Sequence, residues 1–136
     1  MLSPFECLCG NFILPEPASY VFFYAFSNLR NLLYIIPASR PVIAAKRDNM
    51  DEYDTIFVGF PIWWYIAPTI INTFLESYNL KGKTVITFAT SGGSGMGKTN
   101  EKLTPSCPGA KLLHGKVFNS YSSKADLSAW VETISL

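Results

Sequence analysis

Residues 54–68, Asp-Thr-Ile-Phe-Val-Gly-Phe-Pro-Ile-Trp-Trp-Tyr-Ile-Ala-Pro, constrain this chain more than any other stretch. Thr55 to Phe60 is a short continuous apolar run, the pattern of a parallel strand buried on both faces. It stops at Pro61. Trp63 and Trp64 follow in a loop, and Pro68 suits the first turn of a helix. In an open α/β sheet, ligands bind in the loops at the carboxyl ends of the strands. A tryptophan pair there offers a large flat aromatic surface and points to a planar, stackable ligand. The competing reading is that one or both tryptophans cap the core, since one of two adjacent residues often points inward.

The pattern continues downstream. Ile70, Ile71, Phe74, Leu75 and Tyr78 recur at helical spacing as one apolar stripe, and Asn79 and Gly82 supply stop signals. Thr84 to Ala89 is the next strand, so strand, helix and strand make a right-handed βαβ unit. Thr90 to Gly97 is a Gly/Ser loop. Asn100 to Leu103 has room for a helical turn, which Pro105 and Pro108 prevent from extending. Lys111 to Asn119 reads as a third strand, with Gly115 as a bulge or a close approach. Ser123-x-x-Asp126 resembles a capping box and opens a last amphipathic helix through Leu127, Trp130, Val131 and Ile134. The amino-terminal third is broken by Pro4, Pro15, Pro17, Pro37 and Pro41. Tyr20 to Phe26 and Leu32 to Ile36 are apolar. Too few residues separate them for a parallel crossover, which needs about 10–12. They are expected to form an antiparallel hairpin or one buried helix.

At 136 residues and 49% hydrophobic content the chain is one domain's worth and can build a core. A net charge of +1 with no basic stripe gives no support for nucleic-acid binding. Cys7, Cys9 and Cys107 are odd in number and irregular in spacing, which argues against a disulfide framework. With His114 as the single histidine, they also argue against a zinc site. Ser27, Asn28, Arg30 and Asn31 interrupt the apolar stretch from Ala18 to Ala38, so no run reaches the roughly 18 residues of a spanning helix. No Lys or Arg precedes Arg30, so a charged signal-peptide start is missing. A soluble, cytoplasmic protein is expected, with no membrane partner. Asp51, Glu52 and Asp54 read as a solvated turn, and His114 as structural.

Gly92-Gly93-Ser94-Gly95-Met96-Gly97-Lys98-Thr99 matches the phosphate-cradling pattern G-x-x-x-x-G-K-[ST] letter for letter. Such a loop needs a sustained helix after it, and Pro105 stops one within about two turns. No strand-ending aspartate is available for Mg²⁺, because Phe60 and Ala89 occupy those positions. A nucleotide-binding P-loop is therefore the weaker alternative. The same Gly/Ser run brings backbone N–H groups close to a ligand at little steric cost. Opposite Trp63 and Trp64, it would clamp a flat ring system.

Several separated motifs together resemble the flavodoxin-like family, specifically the bacterial flavodoxins marked by Pro-Ile-Trp-Trp and Thr-Ser-Gly-Gly-Ser-Gly. They are Asp51-Glu52-Tyr53-Asp54, Pro61-Ile62-Trp63-Trp64, Ala67-Pro68, Ile71-Asn72-Thr73-Phe74-Leu75-Glu76, Thr90 to Gly97, and Cys107-Pro108-Gly109-Ala110-Lys111. The resemblance implies an open, mostly parallel sheet in the order 2-1-3-4-5 with helices on both faces. It also implies a non-covalently bound FMN and transfer of electrons to a redox partner or a quinone-like acceptor. Pro61, Ile62, Trp63, Trp64 and Tyr65 would form one side of the flavin site. Thr90, Ser91, Gly92, Gly93, Ser94, Gly95 and Gly97 would line the ring's other edge with backbone donors. An indole stacked on the ring in a site of low polarity would lower the flavin's second reduction potential.

The amino terminus departs from that family. The family's first strand leads into a Ser/Thr/Gly/Asn-rich turn and a long helix that bind the FMN phosphate. Tyr24-Ala25-Phe26-Ser27-Asn28 echoes them only faintly, no glycine follows, and no helix fits before Leu32. Leu33 to Ala38 resembles the family's second strand, and Ser39 to Ala44 the segment leading to the third. The expectation is a single flavodoxin-like domain, truncated or rearranged at its amino terminus, with residues 1–40 atypical and residues 41–136 forming the family-like core. Its first strand and phosphate-loop helix would be missing or replaced. As a module for electron transfer or quinone/flavin reduction, it would be impaired by that loss. The alternative is a non-catalytic, partner-binding remnant without a cofactor.

Overall fold

The computed structural model describes residues 20–24, 38–43, 46–119 and 121–134, and of residues 20–24 the backbone alone. Its strands are β1 (Tyr20–Tyr24), β2 (Thr55–Pro61), β3 (Thr84–Thr90), β4 (Lys111–Leu113) and β5 (Val117–Phe118). Its helices are α1 (Thr69–Glu76), α2 (Thr99–Leu103) and α3 (Lys124–Glu132), with short 3-10 turns at Met50–Glu52 and Thr104–Ser106. All strand pairings are parallel, in the order β1-β2-β3-β4. Because β2 occupies one edge of β3 along its whole length, β5 pairs with the same outer edge as β4, beginning three residues beyond where β4 ends.

β2 and β3 are largely apolar because both of their faces are covered. Ile56, Val58 and Phe60 of β2 and Val85 and Ala89 of β3 pack on one face with Ile71, Phe74 and Leu75 of α1 and with Leu103 and Cys107. Phe57, Ile86 and Phe88 point the other way, against Phe118, Leu127 and the half-buried Trp130 of α3. Trp130 meets Phe57 and Phe118 edge-on, with centroids 5.7 and 5.4 Å away, and a tilted Phe88 at 6.0 Å. Thr87 is the one polar residue at the centre of β3. It is buried because its hydroxyl donates to Asn100 Oδ1 of α2 at 2.8 Å.

The βαβ unit forms where the sequence places it, and Ser123 with Asp126 closes a reciprocal capping box at the start of α3. Two expectations are corrected. The third strand is not continuous, because residues 114–116 leave the ladder between β4 and β5. Gly115 explains the break: a Cβ there would lie 1.3 Å from the Thr87 carbonyl oxygen, so the chain crosses β3 at a distance only glycine tolerates. The second concerns the amino terminus. Tyr20–Tyr24 is not a helix but a strand parallel to β2, with Tyr20 opposite Thr55 and Tyr24 opposite Gly59, which is the replaced rather than the missing form of the expected first strand. The sheet thus keeps a strand where the expected order sets its first. Residues 25–37, which include Leu32 to Ile36, and Cys7 and Cys9 lie outside the described residues.

Candidate functional site

The register of β2 and β3 decides which loops meet. Pro61 pairs with Thr90, and the Ile62 N–H donates to the Thr90 carbonyl at 2.8 Å. The chain therefore leaves both strands side by side at the carboxyl edge of the sheet, where open α/β sheets bind ligands.

After Ile62, which packs on the core, the backbone folds into a tight hairpin. Trp63 and Ile66 exchange both backbone bonds, Trp63 N–H to Ile66 O at 3.0 Å and Ile66 N–H to Trp63 O at 3.1 Å. The two residues at the apex, Trp64 and Tyr65, have φ of 51° and 67°. Two positive φ values are the mark of a type I′ turn, normally occupied by Asn and Gly. Here two bulky aromatic residues hold that strained conformation, and such strain concentrates at functional sites. Both point outward: Trp64 is 78% exposed and Tyr65 is 67% exposed, whereas Trp63 is half-buried. Of the two sequence readings of the tryptophan pair, each residue takes one part. Trp63 lies partly against the protein, and Trp64 is displayed.

The second loop faces this turn. Ser91 Oγ accepts from the Gly93 and Ser94 N–H groups at 3.2 and 2.8 Å and lies 2.8 Å from Ser94 Oγ, which sets the loop's curvature. The N–H groups of Gly92, Gly95, Met96 and Gly97 have no acceptor among the described residues, and a Cβ at Gly92, Gly93 or Gly95 would meet open space. The far end of the loop closes on the turn. Lys98 N–H donates to the Tyr65 carbonyl at 3.2 Å, and a Cβ on Gly97 would lie 2.6 Å from that oxygen.

The phosphate-cradle letters thus have other uses. Thr99 is fully buried and its hydroxyl donates to the Met96 carbonyl at 2.6 Å, so it is not presented to a magnesium ion. The helix that follows is five residues long.

Sequence reasoning missed three features. One is the Tyr65–Lys98 bond, for which no local pattern exists. Another is a chain of contacts away from the site, in which Arg40 Nε contacts both Glu76 carboxylate oxygens at 3.0 and 2.8 Å. Ser106 Oγ donates to the same carboxylate at 2.7 Å and accepts from Asn72 Nδ2 at 2.8 Å. The Arg40 bond, joined by the Ser106 bond and the Arg40 charge, holds the Glu76 carboxyl below its ordinary value despite an opposing effect of burial. The spacing of Asn72 and Glu76, one helical turn apart, is the signal that they share a face. The third is an open cavity of about 320 Å³ beyond β5, beside Lys116, Asn119 and Tyr121. Burial raises the Cys107 thiol above its usual value, which suits a core residue rather than a nucleophile.

A parallel sheet packed on both faces, with two loops meeting at the carboxyl edge of adjacent strands, is an open α/β arrangement. The family model described as flavodoxin matches residues 33–134, and the chain belongs to that family. It is similar to the crystal structure of a proposed flavoprotein from Bacteroides eggerthii. The two share 42% identity and a TM-score of 0.65, over 74% of this chain and 63% of that one. It is equally similar to a proposed flavoprotein from Bacteroides uniformis, at 43% identity and a TM-score of 0.65, over 72% and 62%. The chain thus spans 63% and 62% of the length of these two proteins. No curated protein matches it. The matched region begins after β1, so the strand at Tyr20–Tyr24 lies outside it.

Proposed function

We propose that this chain is a single-domain, cytoplasmic flavin-binding module. Its ring site would lie between Pro61, Ile62, Trp63, Trp64 and Tyr65 on one side and Thr90, Ser91, Gly92, Gly93, Ser94, Gly95 and Gly97 on the other. The observation that carries the proposal is the pairing of an exposed, strained Trp64–Tyr65 turn with a loop whose backbone N–H groups have no acceptor among the described residues, across adjacent strand ends. The residues fit an isoalloxazine: an aromatic face for stacking, open space over three glycines, and donors that suit ring carbonyls and nitrogens. The kinship with flavodoxins and proposed flavoproteins supports flavin over other planar ligands.

FMN would supply one- and two-electron redox chemistry to a quinone-like acceptor or protein partner. The chain's own part is to stack on the ring, donate hydrogen bonds to its edge and keep water from one face. The phosphate is the weak point, because the sequence of residues 24–32 contains no glycine of the kind a phosphate-binding turn uses. The test is flavin titration of Trp63→Ala and Trp64→Ala. At least one is expected to weaken binding by about 1 kcal/mol, the scale of a lost aromatic stack. Flavin bound with unchanged affinity by both variants would place the ring elsewhere.

A further inference from the structure

The letters Gly97-Lys98-Thr99, which mimic a phosphate cradle, point inward to another task. We infer that they form a backbone latch, with Gly97 as a positioning residue, that holds the Trp64–Tyr65 turn in its left-handed conformation. The inference rests on the flavin reading only for its consequence on binding, not for the latch itself.

Three contacts build the latch. Lys98 N–H donates to the carbonyl of Tyr65, the second of the two strained residues. Gly97 brings the loop within reach of that carbonyl: it has φ +54°, and a Cβ would lie 2.6 Å from Tyr65 O and 3.2 Å from Tyr65 Cβ. Thr99 anchors the loop from behind, buried, with its hydroxyl on Met96 O at 2.6 Å and its N–H on the same carbonyl at 3.1 Å. Neither aromatic residue favours positive φ by itself. The hairpin's own two bonds between Trp63 and Ile66 close a turn that Asn-Gly would form readily and Trp-Tyr forms reluctantly. A third bond from outside the hairpin biases it toward the turned state. The Lys98 side chain takes no part, being exposed and contributing only its backbone N–H.

The experiment is amide hydrogen exchange on the flavin-free full chain, followed by titration with FMN and riboflavin. Gly97→Ala is expected to lower protection of the Lys98, Trp63 and Ile66 amides by about tenfold, the scale of a left-handed alanine. Phe88 and the other β3 ladder amides should keep theirs, which separates turn opening from unfolding. If Gly97→Ala does not fold, Thr99→Val, which removes only the anchoring hydroxyl, is expected to give a smaller loss at the same three amides. Lys98→Ala should match the natural chain. Where flavin binds, Gly97→Ala should weaken FMN and riboflavin by the same factor, since the latch orients ring-facing aromatics. Full protection of Trp63 and Ile66 in Gly97→Ala, or in Thr99→Val if that variant alone folds, would overturn the latch. A natural chain that binds no flavin but loses protection on mutation would overturn the flavin reading and leave the latch standing.

Discussion

Two single residues in the described structure, Gly115 and Trp64, each make a separate prediction. Gly115 passes the Thr87 carbonyl at a distance that excludes any side chain. Gly115→Ala must push β4 or β5 away from the centre of β3, a steric conflict with backbone rather than with a flexible side chain. The expected loss is about 3 kcal/mol or more of unfolding free energy, measured by denaturant titration. A loss below about 1 kcal/mol would mean that the crossing is not tight. Trp64 presents the opposite case, since it is strained yet 78% exposed. Trp64→Gly removes little packing and relieves the positive φ. It is expected to raise stability by roughly 1 kcal/mol while weakening flavin, a trade of stability against binding. A destabilised Trp64→Gly would show that the indole packs on the protein instead of waiting for a ligand. Neither residue's role could be read from composition. The glycine in the strand signalled a close approach, but only the fold identifies the Thr87 carbonyl as its neighbour. Nothing in Trp-Trp-Tyr signals a turn that usually carries Asn-Gly.

At the scale of elements, the patterns with a clear period were legible and those depending on a distant partner were not. The continuous apolar runs of β2 and β3, the stripe on α1 and the cap of α3 follow from local chemistry, and each forms where the sequence places it. The third strand misled because an apolar run carries no record of where its neighbour's backbone intrudes. Tyr20–Tyr24 misled for a related reason. A short apolar run does not declare its pairing partner, and β1 finds it across about thirty residues of chain, in β2. The connection among α1, the Thr104–Ser106 turn and the 38–43 segment is electrostatic, through Arg40, Glu76 and Ser106. Because the folded state lowers the Glu76 pKa below its unfolded value near 4.5, the contribution is fully present above that pH. It is lost as pH falls through the folded value. Thermal midpoints should therefore drop on acidification below about pH 4.5, and Glu76→Gln should start lower at neutral pH and lose less. The pair is partly exposed, so the difference should be modest and shrink in high salt. Identical acid sensitivity in both proteins would remove Glu76 from the account.

Across the whole molecule, the sheet brings together two loops that lie some thirty residues apart in sequence, and this juxtaposition is what the motif spacing indicated from the start. The half of the proposed site that would face a flat ring is assembled from the described residues. The half that would face a phosphate is not evident in the sequence that follows β1. An anion of roughly −1.5 to −2 charges ordinarily draws several charge-assisted hydrogen bonds at about 1.5–3 kcal/mol each. Without three of them, FMN loses on the order of 4–9 kcal/mol relative to a flavodoxin with an intact phosphate loop. Riboflavin, which never had those bonds, loses none of it. The most direct measurement is parallel titration of the full chain with FMN and riboflavin, followed by quenching of flavin fluorescence. Both ligands are expected to quench, with dissociation constants within about tenfold of each other. Absence of quenching by either would contradict the ring site, and nanomolar FMN binding with strong preference over riboflavin would contradict a site that reads the ring alone.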